Sequence, residues 1–513
     1  MKNQQIGIID MGSNSIRFVV YDINKHGCIK EIQNLKVVAR LSTYINDNGE
    51  MTNQGIQLIL HTLQRFSYVA KNYQLTTIRG VATAAIRNAK NQKEILDAIK
   101  VQGAFNIEVL SEEEEAYYGY LAVTNSTDLQ NGITIDIGGG STEITLFENR
   151  KLIHSHSFSF GALTLQSFIQ NNDQPSETDI NELKEFLKAQ YSILPWLKGK
   201  KLPVIGIGGS ARNIASVHQS QTLYPLSGLH QYNIEDIDVL LIINKLNKMT
   251  LKQRQQLDGL SKDRADIIIP AATAIEQLIS YVGANSFIIS NKGLRDGIFS
   301  EIYLEPIGIS HFPNVAEESI YQLSIDYSLN IDSQRNIAIL SAFLASELKN
   351  YIHPTLTKKD LKLLQWSSRI YYLGKSIHPE SKSQHTFYLL TNQTIDGLSH
   401  RDRLAIACIA SFKSRSQLKQ YIIPFRNLIT KEDEERFELL GAILKLCYAL
   451  NISDRNVIQS IQLKEFSQNK CSLEMLACDD VYFEKFQALK TKKHLEKALG
   501  KEIDLIFTDN FDY

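Results

Sequence analysis

A strand-and-turn motif occurs twice in the first half of this 513-residue chain. Asp10-Met-Gly-Ser and Asp136-Ile-Gly-Gly stand 126 positions apart (136 − 10). A weaker pair, RGVATAAIRN from Arg79 and IGIGGSARN from Ile205, keeps the same offset, with Gly80 matching Gly206. Two matches in one order at one spacing point to an internally duplicated α/β unit. Two such lobes would face each other across a cleft, where ligands commonly bind.

The local signals fit alternating strands and helices. IGIID (Ile6 to Asp10) and IRFVVYDI (Ile16 to Ile23) read as strands joined by the tight turn MGSNS. Apolar spacing from Gly55 to Tyr73 predicts a helix. TIRGVAT reads as a strand, a helix follows near Asn91 to Lys100, NIEVL reads as a strand, and Ser111 is placed to cap the helix that starts with four glutamates. GITIDIGGGSTEITLF then repeats strand, glycine turn, strand. After Tyr303, LEPIGISHFPN reads as a linker. The pattern beyond it is helical to about Leu463, and a strand-helix-strand tail follows. The basic run Lys490, Lys492, Lys493 in that tail reads as a solvated helix face, with contact to a polyanion as the alternative.

Composition narrows the setting. A formal net charge of −1 gives no ground for expecting a nucleic-acid partner, so any polyanion site must come from local clustering. The five cysteines form no CxxC pair, which argues against a disulfide framework or zinc site. The apolar N-terminal stretch is broken by Asp10, unlike a signal peptide, and no apolar run approaches the roughly 20 residues of a membrane span. A cytoplasmic protein with no integral membrane segment is expected.

Three glycine turns carry the chemistry. Gly12, Ser13, Asn14 and Ser15 form one; Gly138, Gly139, Gly140, Ser141 and Thr142 another; Gly206, Gly208, Gly209 and Ser210 the third. Glycine-rich turns at strand ends expose backbone N–H groups, a cradle for phosphate oxygens. Neither a Walker A loop nor a dinucleotide-binding GxGxxG is present. Asp10 and Asp136 end equivalent strands, and Glu143 lies on the strand leaving the second turn. Carboxylates beside a phosphate cradle would repel the ligand unless a cation intervenes, and Mg²⁺ suits that place, with Mn²⁺ as its substitute. Asp136 and Glu143 are the metal candidates; for Asp10, metal contact and turn capping are equal readings. One glutamate of SEEEEA could deprotonate a water for attack on phosphorus, but spacing does not select which. Arg17, Arg87, Arg264 and Arg295 are candidates to balance phosphate charge, and Arg264 with Asp266 reads better as structural.

The segments DMGSNS, VATAAIRNA, LSEEEEA, IDIGGGSTE, GIGGSARNIA, DRADIIIPA and NKGLRDGI resemble the exopolyphosphatase/guanosine pentaphosphate phosphohydrolase (Ppx/GppA) family, in family order over about the first 300 residues. The resemblance implies duplicated actin/sugar-kinase-like (ribonuclease H-like) lobes at 1–125 and 126–304. An all-helical HD-like domain at 315–463 and a small α/β tail at 464–513 would follow. It implies that Glu115 activates water, that Asp136 and Glu143 hold Mg²⁺, and that the three turns and Arg87 bind terminal phosphates. The activity implied is exopolyphosphatase, releasing orthophosphate from inorganic polyphosphate. The alternatives are 5′-phosphate removal from guanosine pentaphosphate, the nucleotide of the stringent response, and a low-turnover sensor of polyphosphate or guanosine penta/tetraphosphate. A homodimer is compatible with the resemblance. Two departures stand out. Glu112 follows Ser111 where the family often has glycine, and Tyr371-Tyr372 replaces the His-Asp pair of HD-type relatives, with His385 alone left from their histidine cluster. No second metal site is expected there. His378 and His385 read as surface or packing residues, and the helical domain as a wall for a long polyanion or a dimer surface.

Overall fold

The computed structural model describes residues 3–170, 173–352 and 355–509. The chain divides into two compact units, one running through Tyr224 and resuming over Leu229–Val315, the other holding Pro225–Gly228 and the chain from Ala316 onward.

The first unit is built on two sheets. Strands β1 (Gln4–Met11), β2 (Ser15–Ile23), β3 (Ile29–Val38), β4 (Leu75–Ala82) and β5 (Ile107–Val109) form the sheet β3-β2-β1-β4-β5. Strands β6 (Gly132–Ile137), β7 (Thr142–Glu148), β8 (Lys151–Phe158), β9 (Val204–Ile207), β10 (Asn233–Glu235) and β11 (Ser286–Ile289) form the sheet β10-β11-β9-β6-β7-β8. Without the edge strand β10, the second order repeats the first. The register repeats as well. Asp10 pairs with Arg17 across the first hairpin and Asp136 with Glu143 across the second. Ile9 pairs with Gly80 and Ile135 with Gly206 in the parallel neighbours. Each turn closes with one hydrogen bond, Gly12 N–H to Ser15 O at 3.1 Å and Gly138 N–H to Ser141 O at 2.9 Å. The 126-residue offset in sequence is therefore a duplication of strand pairing.

The Ile and Val runs of β1, β2 and β6 are buried, as strands covered on both faces require. Strand β3 was not anticipated: it lies at the sheet edge, and its apolar residues Ile29, Ile32, Leu35, Val37 and Val38 do not keep the strict alternation that marks a strand.

Two helices lock the lobes together. Helix Glu112–Thr124 starts in a capping box: Glu114 N–H donates to Ser111 Oγ at 3.1 Å and Ser111 N–H to Glu114 Oε2 at 2.8 Å. Such a cap is worth about 1 kcal/mol. This helix packs on β7 and β8 and against helix Leu294–Leu304, which in turn reaches β1. The crossing needs Gly297, because a Cβ there would lie 2.0 Å from the Tyr118 carbonyl oxygen. Ile8, Val19, Val81, Tyr118, Ile205 and Ile298 belong to one buried cluster shared by both sheets. The cleft thus has walls fixed by a common core.

The second unit is helical from Ala316 to Ala449 and ends in the sheet β12 (Ile458–Phe466), β13 (Lys470–Ala477), β14 (Glu502–Asp509). Residues 458–463, expected at the end of the helical run, are strand. Ile458 and Ile461 have helix-like spacing, but a register shift between Ile458 and Ser460 leaves both buried in the sheet. The expected tail domain's residues 510–513 lie outside the described residues. Tyr371 and Tyr372 are buried, and both hydroxyls donate to the Phe412 carbonyl, at 3.0 and 2.8 Å. His378 is exposed and His385 half-buried. Among the described residues, no helix is long and apolar enough to cross a membrane.

Candidate active site

The glycine turns of both lobes face one cleft of about 180 Å³. Its walls include Asp10, Gly12, Ser13 and Asn14 from the first turn and Asp136, Gly138, Gly139 and Ser141 from the second. The Gly12 and Gly138 amides close their own turns and are not available to a ligand. Among the described residues, the Ser13, Asn14, Gly139 and Gly140 amides make no hydrogen bond within the chain. They are the turn donors left for an anion.

Gly208 and Gly209 line the same cleft, but not as a turn. Helix Gly208–Thr222 begins directly after β9, so its first amides add the positive end of a helix. Gly208 has φ +79° and a Cβ there would meet Asp136 Oδ1 at 2.4 Å. At Gly209 a Cβ would lie 2.2 Å from the Arg264 guanidinium carbon. Gly208 is favoured by its positive φ, while a side chain at Gly209 would displace the Arg264 guanidinium. Ser210 is buried, with its Oγ 3.4 Å from Arg264 Nη1.

Four expected phosphate contacts, Ser210 among them, do not line the cleft. Thr142 is fully buried and its hydroxyl donates to the Phe160 carbonyl at 2.7 Å, so it anchors the strand and does not face the cleft. Gly140 does not line the cleft, leaving only its amide as a candidate. Arg87 is turned to Glu115: its Nη1 donates to Glu115 Oε2 at 2.8 Å and to the Leu110 carbonyl at 3.0 Å. Its Nε and Nη2 are buried and have no hydrogen-bond partner among the described residues.

Arginines supply the positive wall. Arg17, Arg212, Arg264 and Arg295 all line the cleft. Arg264, expected to be structural, reaches it because the turn Lys262–Arg264 lays its side chain across Gly209. Arg212 was missed by the sequence reading, although it stands in the GIGGSARN segment one turn into the helix from Gly208. Burial and the fields of Arg295, Arg212 and Arg264 push the Arg17 guanidinium down to about 10. Burial lowers Arg212 and Arg264 also. Such mutual repulsion is relieved by a bound anion.

The carboxylates show the opposite imbalance. Glu115 lines the cleft and is pushed up to about 7, chiefly by burial, with Arg87 opposing and Asp136 and Asp10 adding to the rise. Asp136 is raised to about 6 by burial, against Arg212 and Arg264. Asp10 is raised by burial, although Arg295 Nη1 stands 3.5 Å from its carboxylate. Glu143 is buried behind the turn, accepts from Ser157 Oγ at 3.1 Å and is raised by burial and then by Glu115 and Asp136. A bound cation would relieve this set. Its donors are all hard oxygens, the kind Mg²⁺ takes. Among the described residues no three carboxylate, histidine or cysteine side chains form a closed metal cage. An ion here would therefore complete its shell from water and ligand oxygens.

A duplicated α/β unit whose cleft offers glycine amides, a helix start, four arginines and a buried acid near neutrality is an actin-like fold carrying a phosphate-handling site. Residues 19–305 match the model of the Ppx/GppA phosphatase family, and residues 315–500 match Ppx/GppA phosphatase domain III. The chain belongs to the Ppx/GppA phosphatase family. It is 25% identical over 311 residues to a bifunctional 3-dehydroquinate synthase/phosphatase of Fusobacterium nucleatum, covering 57% of this chain and 46% of that one. The chain thus spans about half the length of that relative. It is 24% identical over 314 residues to exopolyphosphatase 2 of Mycobacterium tuberculosis, covering 57% of this chain and 97% of the relative. The crystal structure of the Aquifex aeolicus Ppx/GppA family member aligns at a TM-score of 0.53 and 25% identity, over 59% of this chain and 99% of that one.

Proposed function

We propose that the chain is an exopolyphosphatase that hydrolyses the terminal phosphoanhydride bond of inorganic polyphosphate. The observation that carries this reading is Glu115. It is a cleft-lining acid raised to about 7, steered by Arg87, and set among phosphate-directed amides and arginines. A base with that affinity for protons is half ionised at neutral pH and can accept one from water.

In this mechanism the free amides of Ser13, Asn14, Gly139 and Gly140 and the start of helix Gly208–Thr222 hold the terminal phosphate. Arg17, Arg212, Arg264 and Arg295 neutralise its oxygens and those of the next phosphate. Glu115 takes a proton from a water as that water's oxygen bonds to the terminal phosphorus. The bridging P–O bond breaks, and its electron pair leaves on the shortened chain. Orthophosphate departs and Glu115 returns its proton to solvent. Mg²⁺ held by Asp136 and Glu143, with Asp10 nearby, would offset phosphate charge beside these carboxylates. Positioning and charge neutralisation supply most of such a rate.

The second reading is removal of the 5′ phosphate of guanosine pentaphosphate. The lining favours polyphosphate: it consists of glycine, aliphatic, hydroxyl, amide and charged residues, with no aromatic face for a purine. The relative named exopolyphosphatase 2, nearly all of which is covered, supports the same choice. The helical region reads as a degenerate HD-like domain, supported by the buried Tyr371-Tyr372 pair and its bonds to Phe412. The experiment is to supply long-chain polyphosphate and guanosine pentaphosphate separately, with Mg²⁺, and measure phosphate release. Release from polyphosphate alone supports the first reading, and release from the nucleotide alone replaces it with the second.

A further inference from the structure

One loop meets the cleft in a different way from the glycine turns. It follows β11 and leads into helix Leu294–Leu304, and its Asn291 and Gly293 line the cleft. Four consecutive amides of this loop are already bonded inside the protein. Ser290 N–H donates to the Gly206 carbonyl at 2.9 Å and Lys292 N–H to Ser290 Oγ at 3.1 Å. Gly293 N–H donates to Asp296 Oδ2 at 3.0 Å, and Asn291 N–H to His230 Nδ1 at 3.2 Å. None of the four is left for an anion. Asn291 is exposed, and its side-chain amide makes no hydrogen bond among the described residues.

His230 is only 3% exposed. Its Nε2 lies 2.9 Å from the Ser126 carbonyl oxygen. A carbonyl only accepts and a backbone N–H only donates, so Nε2 carries the proton and Nδ1 is the bare acceptor. The neutral ring therefore joins Ser126 to Asn291. Ser126 is itself fastened to the end of helix Glu112–Thr124, its Oγ donating to the Ala122 carbonyl at 2.7 Å. The same helix presents Glu115 in its first turn. His230 thus fixes the Asn291 backbone to the helix that carries the acid of the cleft.

We propose that Asn291 is a substrate-binding residue whose Nδ2 donates to an oxygen of the phosphate chain, and that His230 is the positioning residue that aims it. The proposal deepens the phosphate-chain reading of the cleft and rests on it. A neutral donor suits this place. Arg295, one turn further on, stands 3.5 Å from the Asp10 carboxylate and already repels Arg17 and Arg212. An amide adds a hydrogen bond to the chain without adding to that repulsion.

A double-mutant cycle with long-chain polyphosphate and Mg²⁺ tests both roles. Asn291→Ala is expected to raise KM about tenfold and to leave kcat within about twofold, the effect of one hydrogen bond to a charged ligand. His230→Phe keeps a ring, loses both bonds, and is expected to raise KM by a similar factor. The double variant should lie within about twofold of the worse single one, because both act through one contact. His230→Gln keeps a donor and an acceptor and should recover most of the loss. Amide hydrogen exchange in the peptide spanning Asn291, read without substrate, should quicken in His230→Phe and not in Asn291→Ala. Asn291→Ala removes an exposed side chain and spares the fold, so an unchanged KM in that variant overturns the proposal by itself. KM effects that multiply in the double variant, or a loss confined to kcat, would also overturn it. A wild-type protein that releases no phosphate from polyphosphate would overturn the proposed activity instead. Exchange at Asn291 would then still read the positioning, and the same exchange in His230→Phe as in wild type would overturn that role.

Discussion

Arg87 Nη1 donates to Glu115 Oε2 at 2.8 Å, in a pair whose side chains are only 13% and 16% exposed. The guanidinium is what keeps the buried acid from rising further, since burial raises Glu115 and Arg87 opposes it. In Arg87→Gln the carboxyl should hold its proton to higher pH. The acid limb of the kcat/KM profile should then move up by on the order of one pH unit. Activity at pH 7 should fall more than activity at pH 9. A pH–rate series checks this, and an unmoved limb would show that Arg87 does not set the base.

The raised carboxylates tie stability to pH. Asp136 at about 6 and Glu115 at about 7 bind protons more tightly in the folded chain than when unfolded. Their contribution is fully present below the unfolded values near about 4 and is lost as pH rises through the folded values. Without divalent ion or phosphate, thermal stability should decline between roughly pH 4 and pH 7. Glu115→Gln should flatten that decline. Melting curves in chelator across this range read it directly, and a rise in Tm over the window would contradict the assignment.

Gly208→Ala should damage both folding and the site. The backbone at φ +79° disfavours a side chain, and the new methyl would meet Asp136 Oδ1 at 2.4 Å. A loss of about 1–2 kcal/mol is expected from the left-handed backbone alone. Urea unfolding measures that term. Phosphate release should fall even where the protein remains folded, because Asp136 must move.

Arg212 is the site residue that sequence reading overlooked, and it offers a clean test of the positive wall. Arg212→Ala should reduce kcat/KM about 10- to 100-fold, the effect of losing a charged hydrogen bond of roughly 1.5–3 kcal/mol. Melting temperature should change little or rise, since its neighbours Arg264 and Arg295 repel it. Steady-state kinetics with a paired melting curve separate loss of binding from loss of fold.

Much of the first unit was legible because duplication writes itself twice. The Asp10 and Asp136 strands, their glycine turns and the Ser111 cap all carry local signatures. What escaped depends on distant partners. Arg264 is drawn into the cleft by the absence of a side chain at Gly209, 55 positions away in sequence (264 − 209). Thr142 looks like a turn hydroxyl until Phe160 O is seen to accept from it. GIGGSARN reads as a third turn, yet it starts a helix, since glycine at positive φ can lead directly into one. Strand β12 hides behind a bulge that gives its isoleucines helical spacing.

The central claim is that Glu115 accepts the proton of the attacking water. Its most direct test is phosphate release from long-chain polyphosphate by wild type and Glu115→Gln, with Mg²⁺, at equal folded concentration. The account expects Glu115→Gln to release phosphate about 10²- to 10⁴-fold more slowly while still binding the chain. Equal release by the two proteins would contradict it.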